Sequence, residues 1–457
     1  MKNKSFYSCQ NCGKSYSKWV GRCLDCGDWN SLVEERSHNP KKQSSKSKAA
    51  SGQHQSTSSP PVPISEITSE VINRIYSGIA ELDVVLGGGL VPGSVILVGG
   101  EPGIGKSTLL LQAAGRYAGA GYRVLYVTGE ESTSQIALRA RRLNISDEKL
   151  LVLSATCLEE IFEQLGKIPT DILILDSIQT VYSSELESQP GTVGQLRECS
   201  NEIITWAKAA NAATFLVGHV TKEGAIAGPK ILEHMVDVVL YFDGNTVHSF
   251  RLLRSIKNRF GSTNEIGVFE MRGDGMREVS NPSDLFLSER ATAIPGSAIV
   301  ASMEGTRPIL VEVQALVSYS TLAIPRRTAI GMDPNRLSLL TAILEKRGGY
   351  RLGDQDVYVN IAGGLRLTEP AIDLGILAAT ISSFSGKSID AETLFFGEVG
   401  LGGEVRMVPR AEDRLKEASR VGFKRAFVPE RMVKDLKGDS PLELVAIKTI
   451  GQLSDYF

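Results

Sequence analysis

The chain has 457 residues, of which 42% are apolar, and it carries a formal net charge of −2. The length favours two or three domains and the composition is typical of globular proteins, while the near-neutral charge excludes bulk electrostatics as an argument for a nucleic-acid partner. The first ten residues contain no apolar run, and no segment approaches the roughly 18 apolar residues of a membrane span, so we expect a cytoplasmic protein without a membrane partner.

Two cysteine pairs open the chain, Cys9 with Cys12 and Cys23 with Cys26. Each pair encloses two residues and is followed by a glycine, which lets the chain turn tightly around a metal. Four thiolates at this spacing suit tetrahedral Zn²⁺. Disulfides are the alternative, and a reducing compartment disfavours them. The sequence therefore predicts a zinc ribbon within residues 1–36.

The two tryptophans of this head, Trp19 and Trp29, have two interpretations. We expect both to pack over the metal knuckles, and the alternative is that they stack on nucleic-acid bases. The next segment, residues 37–61, is rich in Ser, Lys and Gln and has almost nothing to bury. It is predicted to be a disordered, mildly basic tether.

Short apolar runs alternate with helical patterns over residues 62–283. Segments with the apolar spacing of a helix, such as STLLLQAAGRYA, lie between the first four runs. This alternation predicts an α/β domain with a parallel sheet covered on both faces. The five predicted strands are VILVGG (95–100), RVLYVTGE (123–130), ILILDSI (172–178), ATFLVGH (213–219) and VVLYF (238–242).

A phosphate-binding loop follows the first of these strands and precedes a helix. Its backbone amides and the helix N-terminus suit the phosphates of ATP; Lys106 reaches the β and γ phosphates, and Ser107 can bind Mg²⁺. The residues predicted to hold the nucleotide are Gly100, Glu101, Pro102, Gly103, Ile104, Gly105, Lys106, Ser107 and Thr108.

Carboxylates end two of the predicted strands. Asp176 closes ILILD, where a Mg²⁺-binding acid belongs. Glu130 and Glu131 follow YVTG, and one of them is predicted to orient the attacking water. The residues alone do not distinguish the two glutamates, and solvated charges at a strand end are the alternative.

The strand ATFLVGH ends on His219, which is predicted to sense the γ-phosphate; a structural histidine is the alternative. The glycine-rich segment after it is predicted to contact a nucleic-acid backbone through Lys222 and Lys230. An idle surface loop is the other interpretation of this segment.

The last region, residues 284–457, mixes strands and helices and predicts an α+β domain. The predicted strands and hairpins are IVASMEG (299–305), ILVEVQAL (309–316), DVYVNIAG (356–363) and LFFGEVGLGGEV (394–405). The predicted helices are PNRLSLLTAILEKR (334–347), PAIDLGILAATISS (370–383) and AEDRLKEASRV (411–421).

Together these motifs resemble the bacterial RadA (Sms) family over nearly the whole chain. The resemblance rests on the paired CxxC head, GEPGIGKST, ILILDSIQT, GHVTKEG and KNRFG at 257–261. It implies a RecA-like core and a hexameric, ATP-driven motor of homologous recombination. Such a motor loads on single-stranded DNA and migrates branched intermediates beside the RecA recombinase. The rest of the chain, most clearly residues 355–457, looks like the C-terminal domain of Lon protease.

The KNRFG segment follows what is predicted to be a strand pair at the far edge of the motor sheet. In ring-shaped RecA-like motors this edge faces the nucleotide of the next subunit. Lys257 and Arg259 are therefore predicted to act in trans on a neighbour's γ-phosphate, and they are also candidates for DNA contacts. Phe260 is expected to anchor the loop in the core, and a surface turn with two solvated charges is the alternative.

The Lon-like region departs from an active protease at two positions. Ala371, after Pro370, stands where Lon has its serine nucleophile, and Glu412 stands where Lon has its lysine. The region is therefore predicted to be a proteolytically inactive scaffold. Two other functions compete with the recombination motor: a RecA-like signalling ATPase that acts on protein partners only, and a Lon-type protease, which the missing serine disfavours.

Overall fold

The computed structural model describes residues 5–9, 14–25, 27, 29, 32–36, 63, 73–218, 229–243, 250–287, 294–322, 324–436 and 440–456. Its packing forms two compact units. The first comprises residues 1–78, 88–102 and 110–239, and the second comprises residues 79–87, 103–109 and 240–457. The predicted tether, residues 37–61, lies outside the described residues. The predicted domain boundaries remain a prediction.

The first unit begins with a small antiparallel sheet in the order β2-β1-β3. Its strands are β1 (Ser5–Cys9), β2 (Ser15–Tyr16) and β3 (Leu32–Arg36). Buried Cys9, Cys23 and Leu32 form its core, and Tyr7, Tyr16 and Val20 pack against them.

The larger sheet of this unit is built from the five predicted strands and one more. Neighbouring strands from β4 through β8, β7 and β5 to β6 are all parallel, as expected. The additional strand β6 lies at the edge of this sheet, and its residues are only partly buried. The strands are β4 (Val95–Gly100), β5 (Val124–Thr128), β6 (Leu150–Ser154), β7 (Ile172–Asp176), β8 (Ala213–Val217) and β9 (Val238–Asp243).

Helices connect these strands, as the sequence predicts. They are α2 (Lys106–Gly119), α3 (Thr133–Arg142), α4 (Leu158–Lys167), α5 (Val193–Ala210) and α6 (Pro229–Met235). Helix α3 begins where Ser132 and Gln135 cap each other, and α5 ends at Asn211 in the left-handed conformation. Apolar side chains of the strands and of α4, α5 and α6 form one buried core.

The second unit contains helix α1 (Ala80–Val85) and three antiparallel strands. The strands are β10 (Phe250–Asn258), β11 (Ile266–Arg272) and β12 (Gly275–Glu278), and helix α7 (Pro282–Leu287) follows them. The sheet order β10-β11-β12 makes β12 the edge strand.

The rest of this unit is a seven-stranded mixed sheet with helices, which confirms the predicted α+β character. Its order is β15-β16-β14-β13-β17-β20-β21. The strands are β13 (Ser297–Glu304), β14 (Arg307–Tyr319), β15 (Arg327–Ile330), β16 (Gln355–Ile361), β17 (Thr393–Phe395), β20 (Arg425–Pro429) and β21 (Glu443–Ile447), with the hairpin β18 (Glu398–Val399) and β19 (Val405–Arg406) beside them in sequence.

The helices of this α+β part are α8 (Pro334–Gly348), α9 (Asp373–Ser385), α10 (Ala411–Val421) and α11 (Glu430–Asp435). Three of them match the predicted helices, except that the first residues of the second are a short 3₁₀ turn over Pro370–Ile372. Among the helices in the described ranges, none is long and apolar enough to cross a bilayer.

Candidate nucleotide-binding and zinc-binding sites

The predicted phosphate loop joins the end of β4, at Gly100, to the start of α2, at Lys106. Gly103 and Gly105 have φ angles of 76° and 116°, which favour glycine. A Cβ atom on Gly105 would lie 2.0 Å from the Cε of Met276 and 2.7 Å from the Cε of Met271. The φ angle is therefore the reason for glycine there, since the ends of the two flexible methionine side chains could move aside.

Lys106 is the first residue of α2, and its side chain is buried. Ile104 is also buried, Ser107 and Thr108 are half-buried, and Glu101 is exposed. The backbone amides of the first turn of a helix have no partner within the helix and carry its positive dipole end. A loop of this shape, with an ammonium group at its end, suits phosphate oxygens.

Sequence reasoning did not identify Arg251, a buried residue of β10. Its Nε donates to the carbonyl of Ile104 at 3.2 Å, and its Nη1 donates to the carbonyl of Phe250 at 2.7 Å. Burial lowers the pKa of this guanidinium. Arg251 thus fixes a carbonyl of the phosphate loop, and a cation inside the apolar run FRLL was the available signal.

Asp176 is the last residue of β7 and is buried. The hydroxyl of Tyr126 donates to its Oδ2 at 2.6 Å. Burial and the charge of Asp176 raise the pKa of Tyr126 well above its usual value, so the phenol stays a donor. Tyr126 therefore orients the carboxylate, a contact that joins two strands and was not predicted.

The structure distinguishes the two glutamates that sequence reasoning left equivalent. Glu130 is exposed, and its Oε1 accepts a hydrogen bond of 2.6 Å from the hydroxyl of Ser177, the residue after Asp176. Glu131 forms an ion pair with Arg139 of α3. Its amide also donates to the hydroxyl of Thr128 at 3.0 Å. Glu130 is thus held beside the end of β7, and the charge of Glu131 is balanced by a cation.

The strand order places β8 between β4 and β7, and all three run parallel. Their carboxyl ends therefore share one edge of the sheet, where Gly100 and Asp176 lie. His219 and Lys222 lie outside the described residues. Lys230 is in the first turn of α6, and its side chain is likewise outside what is described.

The KNRFG segment begins in β10, which ends at Asn258, and forms the turn toward β11. Arg259 is exposed, whereas Lys257 and Phe260 are half-buried, so Phe260 is less buried than a core anchor. The predicted edge position needs correction, because β11 and β12 continue the sheet on one side of β10.

This turn packs against the end of α1. The side-chain amide of Asn258 donates to the carbonyl of Val85 at 3.4 Å and accepts from the amide of Phe260 at 2.8 Å. A Cβ atom on Gly261 would lie 2.7 Å from the Cα of Gly87. The position of the turn therefore depends on two glycines in direct backbone contact.

Two of the four predicted zinc ligands, Cys9 and Cys23, are buried in one small cluster. The amide of Gly27, whose φ is 80°, donates to the carbonyl of Cys23 at 2.9 Å and closes a tight turn. Cys12 and Cys26 lie outside the described residues, and the residues that are described contain no group of three metal ligands. Two buried thiols and this turn fit a thiolate zinc site.

The expectation that the tryptophans pack over the knuckles is wrong. Trp19 is 54% exposed and Trp29 is 71% exposed. The small core is already filled by Leu32, Tyr7 and its neighbours, so the indoles remain at the surface.

In the α+β part, Ala371 is buried in an apolar cluster. Glu412 is exposed on α10, and its carboxylate lies 3.8 Å from the exposed ammonium of Lys416. The hydroxyls of Ser382 and Ser383 accept backbone amides, from Gly296 and Val317 respectively, at 2.9 Å each. None of these serines and carboxylates is arranged as a nucleophile with a base.

Buried charges of the same region are paired. The guanidinium of Arg414 is fully buried and forms an ion pair with Glu369. Arg336 forms an ion pair with buried Asp373, whose carboxylate also accepts the amide of Val399 at 3.1 Å. The first pair joins α10 to the residue before the 3₁₀ turn, and the second joins α8 to α9, so both have a structural role.

Comparison with known proteins gives three family matches. A model of the AAA domain matches residues 61–225, one of the rubredoxin metal binding domain matches residues 7–34, and one of subunit ChlI of Mg-chelatase matches residues 322–432. The third description differs from the Lon protease that was expected for this region. A solved KaiC-like protein from Pyrococcus horikoshii is 22% identical, covers 46% of this chain and 99% of its own, and has a TM-score of 0.39, too low to carry an argument.

Curated relatives match along the whole chain, and each is described as DNA repair protein RadA. The protein of Halalkalibacterium halodurans is 50% identical, over 98% of this chain and 97% of its own. That of Bacillus subtilis is 49% identical (99% and 98%), and that of Pseudomonas aeruginosa is 48% identical (99% of each). The chain belongs to the RadA family of DNA repair proteins.

Proposed function

We propose that this chain is a DNA-dependent ATPase of homologous recombination. It moves on single-stranded DNA as a homo-hexamer and works beside RecA to extend strand exchange and migrate branches. The observation that carries this proposal is the phosphate loop after β4, at the sheet edge that Asp176 shares, in a chain about half identical to RadA proteins.

ATP is the substrate of the proposed site. Lys106 and the loop amides neutralise its phosphates. From their places in the sequence motifs, Asp176 and Ser107 are each assigned as a Mg²⁺ ligand, because Mg²⁺ takes oxygen ligands. When bound, Mg²⁺ would offset charge on the phosphate oxygens.

Glu130 is the residue that we assign to orient the attacking water. Its carboxylate lies at the end of β7, where Ser177 donates to it. Glu131 is assigned a structural role because Arg139 already balances its charge. Matched Glu→Gln substitutions at the two positions test this choice.

The proposal retains three assignments that rest on sequence. His219 senses the γ-phosphate, Lys222 and Lys230 contact the DNA backbone, and Lys257 with Arg259 acts on a neighbouring subunit's nucleotide. The exposure of Arg259 supports the last one.

A Lys257→Ala protein should bind ATP but hydrolyse it poorly. Mixed with a Lys106→Ala protein in exchanging rings, it should recover turnover, and a mixture as inactive as both parents contradicts the assignment.

The head is proposed to bind one Zn²⁺ through Cys9, Cys12, Cys23 and Cys26.

The region from 284 to 457 is proposed to be a Lon-like scaffold without protease activity. The burial of Ala371 and the surface position of Glu412 support this assignment. Casein hydrolysis by the pure protein would contradict the scaffold assignment.

Two measurements test the proposed function. ATP turnover by the purified chain should rise when single-stranded DNA is added, because DNA binding is coupled to hydrolysis. A three-strand intermediate should then be extended only when ATP is present. Turnover that DNA leaves unchanged would favour the signalling ATPase instead.

A further inference from the structure

Two large aromatic side chains lie at the surface of the zinc-ribbon head. Trp19 and Trp29 are more than half exposed. Two large aromatic side chains this exposed on one small module are unusual, because aromatic side chains gain most from burial and exposed apolar patches commonly mark binding surfaces. Their exposure is therefore the feature to be explained.

Both rings lie beside one residue, Gly21. A Cβ atom at this position would lie 3.6 Å from the Cη2 atom of Trp19 and 4.0 Å from the Cζ3 atom of Trp29. Glycine therefore keeps a side chain out of the space next to both rings. We call the two indoles and Gly21 the tryptophan platform.

Cations border the tryptophan platform. The guanidinium of Arg22 lies over one face of the Trp29 ring, 5.7 Å from its centroid, so a base would stack on the opposite face. The Nε of Arg22 donates to the carbonyl of Gly27 at 2.7 Å, which fixes its position. Lys18, next to Trp19, is exposed. The acidic Asp25 is already in an ion pair with Lys14, at 3.1 Å.

The charge of the surrounding sequence has the same sign. Residues 1–61 contain ten Lys or Arg and four Asp or Glu, an excess of six positive charges, although the whole chain has a net charge of −2. Aromatic faces bordered by cations match the two parts of an unpaired nucleotide, its base and its phosphate.

We propose that the tryptophan platform binds single-stranded DNA by stacking unpaired bases on Trp19 and Trp29, while Lys18 and Arg22 contact the phosphates. This inference rests on the proposed function, because it assigns a second contact to the same DNA partner. Stacking tolerates every base, so the platform binds without sequence preference.

The chain contains three tryptophans, and the third, Trp206, lies in α5. A full-length Trp206→Phe protein therefore reports on the platform alone. Its fluorescence should be quenched by a single-stranded oligothymidine, because stacked bases quench indoles. A fully paired duplex should quench far less, since its bases are already stacked on one another.

Affinity for the same oligothymidine gives the second readout. The Trp19→Ala/Trp29→Ala protein should bind at least about tenfold more weakly, since each stacked base contributes roughly 1–3 kcal/mol. The Trp19→Phe/Trp29→Phe protein keeps aromatic faces and should retain most of the affinity. Tyr76→Ala, at another exposed aromatic residue of the first unit, is the matched control and should change nothing. Lys18→Gln should reduce the slope of log affinity against log salt by about one.

Zinc content, measured in every variant, must stay equal to that of the unmodified chain, which shows that the head remains folded. Unchanged affinity of the double alanine variant, or equal quenching by the duplex, overturns the proposal even if the parent binds DNA. Loss of self-association with unchanged DNA affinity would assign the platform to a protein contact. If the parent chain neither binds single strands nor responds to them in turnover, the proposed function fails as well.

Discussion

The carboxyl edge of the parallel sheet and the surroundings of Ala371 both contain buried charges, but in different settings. At the sheet edge, Asp176 is oriented by the neutral hydroxyl of Tyr126, and we propose that its carboxylate binds a cation. Near Ala371, Arg414 and Glu369 neutralise each other, as Arg336 and Asp373 do. The setting of a buried charge, more than its presence, separates a site for chemistry from a structural one.

The largest effect is expected at the phosphate loop. Lys106→Ala should reduce ATP turnover at least about a thousandfold, because the charge that develops on the γ-phosphate loses its ammonium. Lys167→Ala, which removes an exposed ion pair with Glu163, is the control and should leave turnover unchanged. Near-normal turnover of Lys106→Ala would contradict the assignment of the phosphate loop as the site of ATP hydrolysis.

The buried pair of the α+β part should instead determine stability. Arg414→Ala should lower the free energy of unfolding by about 3–5 kcal/mol, because the carboxylate of Glu369 is left without its cation. Glu412→Gln, in an exposed pair, should lower it by less than about 1 kcal/mol. Urea titration of both proteins checks this, and equal stabilities would contradict the structural role of Arg414.

A smaller effect should separate the glutamates. Glu130→Gln is expected to slow hydrolysis about a hundredfold or more, as loss of a catalytic base does. Glu131→Gln should change turnover less than about tenfold, since it removes only the ion pair with Arg139. Steady-state rates at saturating ATP decide between them, and the reverse order would exchange the assigned roles.

The smallest effect concerns a structural carboxylate within the first unit. Burial opposes ionisation of Glu159, but hydrogen bonds from Cys157 and Ser183 outweigh it and lower its pKa to about 2. Because this pKa is lower in the folded chain than in the unfolded one, the stabilisation is complete above pH ~4.5. It is lost as the pH falls toward about 2.

Glu159→Gln should therefore lower stability at neutral pH by roughly 1–3 kcal/mol and flatten its dependence on pH in the acid range. Unfolding monitored by Trp206 fluorescence, in a chain with both head tryptophans replaced by Phe, measures this for the first unit. An unchanged acid profile would show that the hydrogen bonds to Glu159 contribute nothing.

Local sequence patterns predicted those parts of the fold that are determined by residues close together in the sequence. The five predicted strands have distinctive runs and were confirmed, with β4, β8, β7 and β5 in parallel pairs. The predicted phosphate loop lies between a strand and a helix, as expected. The strand β6 was not predicted, because its edge position leaves its residues partly exposed. Contacts between distant residues, such as Arg251 with Ile104 and Tyr126 with Asp176, leave no periodic pattern.

The prediction that Trp19 and Trp29 are packed was wrong for a related reason. Whether an indole is buried depends on how much of the core other residues fill, and Tyr7, Tyr16 and Leu32 fill it here. The choice between Glu130 and Glu131 also depended on distant partners, since Ser177 lies on another strand end. Residue type predicted the candidates, and their three-dimensional neighbours support the proposed choice between them.

The contact between Gly87 and Gly261 limits how this chain can vary. A single methyl group at either position meets backbone, 2.7–3.0 Å away, so no rotamer change relieves it. A bulky residue in a core is often compensated by a smaller neighbour, but glycine has no smaller replacement. The pair therefore has no compensating substitution. A substitution at either glycine should shift the same turn. The double substitution should therefore lower the free energy of unfolding by less than the sum of the two single effects.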